Sequence, residues 1–247
     1  MNMFTDMHNH FVYGVDDGCA DPGTMLNLLH ALEADQVSEI ISTAHITPGQ
    51  AHFPMDVYRA HFAEAQEMIR QENLHLTIYP GNEILYTDMT PRYLREGKAL
   101  TLADSEYALI EFMPGEKYER LCEAAQKVRN AGYDVIFAHI ERYACLSDVR
   151  RVIDLKDRYG VLMQVNCSLF AHKQGFLRKR WIKALMKDEL VDMVSTDTHD
   201  MPGREPAMAA CFDALKRDYG EETALYLTRD HARELLLSAP EVDGSGR

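Results

Sequence analysis

The sequence predicts an α/β protein built on a mainly parallel sheet. Short runs rich in β-branched and aromatic residues alternate with amphipathic helical stretches, a pattern that is typical of βα units. The chain of 247 residues is 46% hydrophobic and 26% charged, the composition of a globular protein with a sizeable core. Its length suits one large barrel or two smaller domains, but no repeat or low-complexity linker divides it. We therefore expect one domain over residues 1–239 and a polar, disordered tail over residues 240–247.

Seven runs have the composition of strands. They lie at residues 3–7, 39–43, 75–79, 107–110, 134–138, 161–165 and 192–196. The helix after the first strand has a clear start, with Asp21 as N-cap and Pro22 at the first helical position. The other helices are expected near residues 56–71, 116–131, 147–159, 176–187, 204–217 and 230–237.

The charge and hydropathy patterns exclude several classes of function. A net charge of −13 argues against a nucleic-acid partner, because phosphate backbones are bound by dense Lys and Arg surfaces. No apolar run is long enough to span a bilayer, and the first residues do not resemble a signal peptide. The five cysteines are scattered without a close pair, which favours reduced thiols. Together these patterns predict a cytoplasmic protein that is not embedded in a membrane.

Potential metal ligands follow six of the seven predicted strands. In chain order they are His8, His10, Asp17, His45, Glu83, Glu111, His139, Asp197 and His199. The C-terminal ends of the strands of a parallel barrel meet at one rim, so these side chains should converge. His8 and His10 are two residues apart, which places both on the same face of an extended strand. A His, Asp and Glu set without thiolates suits Mn, Fe, Zn or Mg, and the sequence therefore predicts a metal site at this rim.

Each of these residues taken alone has a simpler structural explanation. A single His-x-His pair is weak evidence, and His45 or His139 alone would more often be a hydrogen-bonded core histidine. Glu83 or Glu111 alone could be a solvated loop carboxylate, Glu111 could instead be a buried ion-pair partner, and Asp197 alone could cap a helix. All such explanations would have to hold together at six strand ends, which makes the metal site the better interpretation. The remaining histidines are expected at the surface: His30, His52, His61, His75, His172 and His231.

Cys145 and Arg151 have the Cys-x5-Arg spacing of the cysteine-based phosphatases. That loop binds phosphate through successive backbone N–H groups, which glycines and other small residues allow to wrap the anion. Here no glycine lies between the two residues, and Asp148 would repel a phosphate. We interpret the spacing as a coincidence.

Short motifs run in order over nearly the whole chain. They are MHNH with GVDDG, STAHITPG, GNEI, ALIEF, AHIERY, QVNCSL and STDTHDMPGREP. This series resembles the polymerase and histidinol phosphatase (PHP) superfamily, and more narrowly its CpsB-type, manganese-dependent bacterial protein-tyrosine phosphatases. The resemblance implies a distorted, seven-stranded, TIM-like (β/α) barrel with the metal site at the C-terminal ends of the strands. The segment between Asn166 and Gly175 is longer than the family pattern. The loop that faces the substrate is therefore expected to differ in shape from that of the family.

The resemblance also implies a site for three divalent ions, with Mn²⁺ expected and Fe, Zn or Mg as alternatives. The first ion would be held by His8, His10, Glu83 and Asp197. The second would be held by Glu83, Glu111 and His139, and the third by Asp17, His45 and His199. Arg142 and Arg204 match positions that bind the substrate phosphate, although without the family both would be read as surface ion pairs. His199 or Asp200 is in addition a candidate for assisting the leaving group.

The expected reaction is hydrolysis of phosphotyrosine by a metal-bound hydroxide, since metal binding lowers the pKa of water from about 15.7 towards 7. The expected partner is the tyrosine-rich C-terminal tail of a bacterial tyrosine kinase that controls capsule or exopolysaccharide synthesis. Two alternatives stay open at this point. One is a histidinol-phosphate or other small-molecule phosphatase of the same superfamily, and the other is a metal-binding regulatory partner of the kinase without turnover.

Overall fold

The computed structural model describes residues 3–50, 53–199 and 205–237, which form a curled parallel sheet with helices packed around it. Its strands are β1 (Phe4–Asn9), β2 (Val37–Ser42), β3 (Ala44–Ile46), β4 (Thr77–Tyr79), β5 (Asn82–Leu85), β6 (Tyr107–Glu111), β7 (Asp134–Phe137), β8 (Leu162–Asn166) and β9 (Met193–Ser195). Its helices are α1 (Pro22–Ala34), α2 (Met55–Gln71), α3 (Thr90–Arg95), α4 (Tyr118–Asn130), α5 (Val149–Tyr159), α6 (Ser168–Ala171), α7 (Phe176–Lys187), α8 (Met208–Tyr219), α9 (Glu221–Leu225) and α10 (His231–Leu237).

All pairings between the strands are parallel, in the orders β1-β2-β4 and β3-β5-β6-β7-β8-β9. Only Thr43 separates β2 from β3, and only Pro80 and Gly81 separate β4 from β5, so each couple is one interrupted strand. A parallel bridge between Asn9 and Thr198 brings the end of β9 to β1. The predicted distorted barrel of seven strand positions is confirmed by this arrangement.

The interruption between β4 and β5 has a steric and a hydrogen-bonding cause. Pro80 has no backbone N–H to offer to the sheet, and its carbonyl accepts instead from Ala103 N at 2.8 Å. A Cβ at Gly81 would lie 3.0 Å from Ile41 Cγ2 and 3.1 Å from the Ser42 carbonyl oxygen. The backbone at Gly81 can therefore approach β2 only without a side chain.

Two predictions of strand ends were wrong. His45 and Glu83 were expected after the second and third strands, but they lie within β3 and β5 and pair in register with each other. The composition of residues 39–43 and 75–79 predicts the first segment of each interrupted strand. The second segments, β3 and β5, form because neighbouring strands pair with them. The short helices α3 and α6 were also not predicted, because six and four residues are too few to show a helical period.

The helix starts agree with the prediction where a local signal is strong. Asp21 Oδ1 accepts a hydrogen bond from Thr24 N at 2.8 Å, and Pro22 is the first helical residue of α1. The predicted bounds of α7 are confirmed without change. The expected helix at 204–217 begins instead at Met208, and the final predicted helix continues from α9 through a π-helical turn, Tyr226–Asp230, into α10.

The strands are apolar on both faces because each face is covered. Leu109 and Ile136 belong to one buried cluster, which α10 completes with Leu235. Their neighbours Ile110 and Phe137 belong to the larger cluster, which includes helix residues from α1, α4 and α5. This explains why the strands appear in the sequence as continuous rather than alternating apolar runs. Across the described ranges, no helix combines the length and the apolar character needed to cross a bilayer. The expected tail lies outside the described residues.

Candidate metal centre

The carboxylate of Glu83 lies at the centre of a buried cluster of imidazoles. Its Oε2 is 2.9 Å from His8 Nε2, 3.3 Å from His10 Nε2 and 3.2 Å from His45 Nδ1. Its Oε1 is 2.6 Å from His139 Nε2. Four imidazoles thus surround one fully buried carboxylate, two of them from within β1 and β3 and two from just beyond the ends of β1 and β7.

Asp197 forms a second buried point of convergence beside Glu83. Its Oδ1 is 3.5 Å from His8 Nε2 and 3.6 Å from both His10 Nε2 and His199 Nδ1. Its Oδ2 accepts a hydrogen bond from Asn166 Nδ2 at 2.7 Å. The end of β9 and the end of β1 therefore aim their polar side chains at the same space.

The backbone at two of these residues is in the left-handed region. His139 has a φ of 31° and Asp197 a φ of 53°, at the points where the chain leaves β7 and β9. Non-glycine residues adopt such angles at a cost that the surrounding structure must offset. Both turns direct a side chain back towards Glu83, so the strained positions coincide with the cluster.

The side of the cluster nearer to solvent is formed by Asp17, His45 and Glu111, and the buried His199 lies next to Asp17. Asp17 Oδ1 is 3.4 Å from His199 Nε2 and 3.5 Å from His45 Nε2. His45 Nδ1 is 3.3 Å from Glu111 Oε2. The ring of His199 stacks on that of His10 with the centroids 3.9 Å apart, which links this side to the buried one.

The ligand atoms fall into three groups, within each of which all atoms lie within 4.8 Å of one another. The groups are His8, His10, Glu83 and Asp197; then His45, Glu83 and Glu111; then His10, Asp17, His45 and His199. The first contains the residues expected for the first ion. In the second, His45 accompanies the two glutamates, while the expected His139 contacts Glu83 through the other oxygen. The structure thus brings together every residue of the predicted ligand set.

The carboxylates and imidazoles of the cluster shift one another's pKa values. Burial alone would raise the pKa of Glu83, but His8, His10 and His139 outweigh it and hold that pKa well below its usual value. Burial alone would likewise raise the pKa of Asp197, and mainly His8 lowers it to about 2. For His10, burial lowers the pKa, and the hydrogen bonds to Asp16 and Glu83 raise it to about 10. Glu83 and Asp197 are thus ionised at neutral pH.

Several residues that orient the cluster were not identified from the sequence. Asp16 Oδ2 is 2.8 Å from His10 Nδ1 and accepts from His45 N at 3.0 Å. Gln164 Oε1 accepts from His139 N at 2.6 Å and lies 3.3 Å from His8 Nδ1. The available signal was a glutamine inside an apolar strand, two residues before Asn166 and hence on the same face.

Asp6 ties the strand that carries His8 and His10 to the strand that leads to Asp197. Its Oδ1 accepts from Thr196 N at 2.8 Å, and its Oδ2 accepts from Asn9 Nδ2 at 2.9 Å. Asp6 is completely buried. These bonds hold β1 and β9 in the register that the cluster requires.

Arg142 lies at the mouth of the site, three residues after His139 in the 3-10 turn Ile140–Arg142. Its guanidinium contacts Asp197 Oδ2, and its side chain remains 41% exposed. Burial would lower the pKa of Arg142, but Asp197 and the other carboxylates nearby raise it. A permanent cation therefore borders the cluster. Arg204, the other expected phosphate-binding residue, and Asp200, the alternative to His199 for assisting the leaving group, lie outside the described residues.

Cys145 and Arg151 do not form an anion-binding loop. Burial raises the pKa of the Cys145 thiol, which disfavours the thiolate that a nucleophilic cysteine requires. Arg151 Nη1 donates to the Cys145 carbonyl oxygen at 3.0 Å, and its guanidinium lies over the ring of Tyr118. The structure supports the interpretation of this spacing as a coincidence.

The remaining histidines have other environments. His61 Nδ1 is 2.9 Å from the carbonyl oxygen of Tyr13, and the two rings stack. His231 Nδ1 is 2.9 Å from the carbonyl oxygen of Asp192. His30, His75 and His172 are exposed, and His52 lies outside the described residues. None of those that the structure describes belongs to the three ligand groups.

Comparison with known proteins identifies relatives over almost the whole chain. Residues 4–237 match the model of the family described as "Capsular polysaccharide synthesis, CpsB/CapC". The tyrosine-protein phosphatase CpsB of Streptococcus pneumoniae is 30% identical over 242 residues, which cover 94% of this chain and 98% of the relative. The tyrosine-protein phosphatase YwqE of Bacillus subtilis is 25% identical over 233 residues, which cover 94% of this chain and 91% of the relative.

Solved structures show the same fold. A chain from the crystal structures of YwqE from Bacillus subtilis and CpsB from Streptococcus pneumoniae, described as metal-dependent tyrosine phosphatases, superimposes with a TM-score of 0.86 at 23% identity. The match covers 96% of this chain and 95% of that one. The phosphotriesterase homology protein of Escherichia coli, solved with phosphate in its active site, superimposes with a TM-score of 0.63 at 11% identity. That match covers 95% and 99% of the two chains.

Proposed function

The chain belongs to the CpsB/CapC family of capsular polysaccharide synthesis proteins, and from this membership we propose that it is a metal-dependent protein-tyrosine phosphatase. Its curated relatives carry the name of tyrosine-protein phosphatase. One observation carries the proposal: five imidazoles and four carboxylates, supplied by residues far apart in the chain, converge around Glu83. Such a set has the donor chemistry of a site for several divalent ions.

One buried oxygen atom of the cluster indicates that these residues fit bound cations. Asp197 Oδ1 is buried and accepts no hydrogen bond from the described residues, although it faces three imidazoles. Buried polar atoms are almost always satisfied, and an ionised oxygen left without a partner is costly. A divalent ion at this position would provide the missing partner and neutralise the carboxylates.

We assign three ions to the site, with Mn²⁺ as the first candidate and Fe, Zn or Mg as alternatives. His8, His10, Glu83 and Asp197 would hold the first. Glu83, Glu111 and His139 would hold the second, with His45 close enough to contribute, and Asp17, His45 and His199 would hold the third. When bound, such ions lower the pKa of water towards 7 and offset negative charge on a phosphoryl group.

The protein's own residues would position the substrate and stabilise its charge. Arg142, exposed beside Asp197, can donate two parallel hydrogen bonds to a phosphate, and we assign the same role to Arg204. His199, buried next to the exposed Asp17, is the candidate for assisting the leaving phenolate. Tyrosine's phenol has a pKa of about 10, so it leaves more easily than a serine alkoxide and needs only a weak acid.

The substrate would be a phosphotyrosine in a protein, and the expected partner is the tyrosine-rich C-terminal tail of a tyrosine kinase in capsule or exopolysaccharide synthesis. The family description and the names of the relatives support this assignment. We place the reaction in the cytoplasm, where the scattered, unbridged cysteines would remain reduced.

Removal and return of metal tests the proposal. The purified protein is dialysed against a chelator, and its rate on an aryl phosphate is measured before and after addition of Mn²⁺, with metal content determined on the same sample. We expect loss of activity with loss of metal and recovery on addition. The variant Cys145→Ser is the control and should retain full activity. Activity that survives in metal-free protein, or that disappears in Cys145→Ser, would contradict the proposal.

A second measurement separates the tyrosine phosphatase from the alternatives. Rates are compared on a phosphotyrosine peptide and on histidinol phosphate with the same metal-loaded sample. We expect the peptide to be the better substrate in kcat/KM. A preference for histidinol phosphate would indicate a small-molecule phosphatase, and no turnover of either substrate or of the aryl phosphate would indicate a regulatory protein.

A further inference from the structure

The segment formed by residues 172–187 is strongly basic in an otherwise acidic chain. It contains six of the chain's 26 Lys and Arg residues and no Asp or Glu, whereas the whole chain has a net charge of −13. Its residues 176–187 form α7. The cations in this segment are Lys173, Arg178, Lys179, Arg180, Lys183 and Lys187. A local surface of positive charge therefore lies on a protein that repels most anions elsewhere.

A groove of about 870 Å³ separates α7 from the turns that follow His139. Residues on its two sides include Arg142, Tyr143, Ser147, Leu177, Arg180 and Trp181. Arg142 also lines the adjacent pocket, which contains Asp197 and Asn166 of the metal centre. The charged residues that line the groove are Arg142, Arg178 and Arg180 against Glu141 and Asp148, so positive charge is in excess. Arg142 is the boundary that the groove shares with the candidate active site.

Hydrogen bonds hold α7 in a defined position along this groove. Arg178 Nη1 donates to the carbonyl oxygen of Glu141, the residue before Arg142, at 2.6 Å. Trp181 Nε1 donates to the carbonyl oxygen of Leu146 at 2.8 Å, and the guanidinium of Arg178 lies 5.4 Å from the Trp181 ring. The groove is therefore preformed, which reduces the entropic cost of binding a ligand.

The first turn of α7 also presents apolar side chains to solvent. Phe176 is 80% exposed and Leu177 is 78% exposed, more than any other large hydrophobic residue in the described ranges. Two adjacent residues of this kind, next to Arg178 and Arg180, combine apolar area with positive charge. A ligand with one apolar group and neighbouring negative charge matches both features.

We propose that this groove binds the polypeptide that flanks the phosphotyrosine and that it selects substrates with acidic residues beside an apolar one. That the substrate contains phosphotyrosine rests on the proposed function. That its flanking residues bind here rests on the groove itself. The 12 residues of α7 span about 18 Å, a length that five or six residues of an extended peptide would cover. A phosphotyrosine at Arg142 would place its neighbours against Leu177 and Arg180.

An anionic membrane would also be attracted by cations next to an exposed phenylalanine. The observations favour a peptide, because Arg180 and Leu177 line a concave groove that Arg142 also lines. A flat membrane surface cannot follow such a groove down to the site. We therefore treat membrane binding as an outcome of the test.

The test uses the metal-loaded, full-length protein and the variant Arg180→Glu. The matched control is Lys187→Glu, which makes the same change of charge at the exposed far end of α7, outside the groove. The probe is a fluorescent peptide in which a non-hydrolysable phosphonate analogue of phosphotyrosine is flanked by two acidic residues and a leucine. A second peptide carries lysines in place of the acids. Binding is followed by fluorescence anisotropy at low salt, and the rate on a small aryl phosphate is measured in parallel.

We expect wild type to prefer the acidic peptide, and Arg180→Glu to weaken its binding by about ten-fold, an effect that salt diminishes. Lys187→Glu should change the affinity for the acidic peptide by less than about two-fold. Neither variant should change the rate on the aryl phosphate by more than about two-fold. Equal affinity of wild type for both peptides, or equal losses in the two variants, would overturn the proposal.

Two further outcomes separate this inference from the proposed function. Binding to vesicles of anionic lipid that is lost in Arg180→Glu, with unchanged affinity for the acidic peptide, would assign the surface to a membrane and overturn the inference. A metal-loaded wild-type protein that does not hydrolyse the aryl phosphate would contradict the proposed function alone, since anisotropy reports on the groove without turnover.

Discussion

Asp16 Oδ2 lies 2.8 Å from His10 Nδ1, so that the opposite nitrogen of the imidazole faces Glu83 and Asp197. A carboxylate in this position fixes the orientation and the tautomer of a ligand histidine and makes it more basic. Asp16 also accepts a hydrogen bond from the backbone N–H of His45. One side chain outside the predicted ligand set thereby positions two residues within it.

We expect Asp16→Asn to weaken metal binding by about 10–100-fold, because the amide cannot hold His10 in the same way. The rate at saturating Mn²⁺ should recover much of its wild-type value, since the proposed ligands all remain. A titration of activity against Mn²⁺, together with metal content, measures this effect. Asp56→Asn, at the exposed start of α2, is the control. A variant with normal metal affinity would show that Asp16 does not orient the site.

Glu83→Gln should be the most damaging single change in the cluster. Its carboxylate contacts His8, His10, His45 and His139, whereas Glu111 contacts His45. Loss of several kcal/mol of charge stabilisation corresponds to a decrease in kcat on the order of 10³-fold. Glu111→Gln should reduce kcat less, and steady-state kinetics on an aryl phosphate with added metal would show the order. If the Glu111 variant were the more impaired of the two, Glu83 would not be the central ligand.

Metal affinity should fall as the pH is lowered. In the metal-free protein the pKa of His10 is raised to about 10, so its imidazole holds a proton at neutral pH, and the pKa of His8 is also raised, which favours proton binding there too. A metal must displace these protons, and binding therefore releases them and becomes stronger as the pH rises. Calorimetric titrations with Mn²⁺ at pH 6 and pH 8, each in two buffers of different ionisation enthalpy, measure both effects. Equal affinities at the two pH values, without proton release, would contradict this expectation.

Gly81→Ala should destabilise the fold by about 1–3 kcal/mol, because overpacking forces neighbouring atoms to shift. The added Cβ would lie 3.0 Å from Ile41 Cγ2 and 3.1 Å from the Ser42 carbonyl oxygen. Gly115→Ala is a matched control, since no atom lies within 4 Å of its added Cβ. Urea unfolding of both variants in the metal-free state gives the two free energies of unfolding. Similar values would show that the interruption between β4 and β5 does not depend on close packing at Gly81.

The sequence by itself determined the α/β class, the seven strand positions, the start of α1 and the bounds of α7. It also singled out the candidate ligand residues, because their positions relative to strand ends can be counted along the chain. Signals of this kind depend on neighbours within a few residues: an N-cap acts on the N–H groups of the next turn, and apolar periodicity marks one element at a time.

Only the tertiary structure decided which of those residues meet and which others support them. Glu83 became central because the interrupted strand β4-β5 resumes beside β3, and Gln164 became a support because β8 lies next to β7. The groove beside Arg142 likewise exists because α7 packs against turns that precede it by 30 to 40 residues. Such contacts join residues that are distant in the chain, and they depend on the register and curl of the whole sheet rather than on any local pattern.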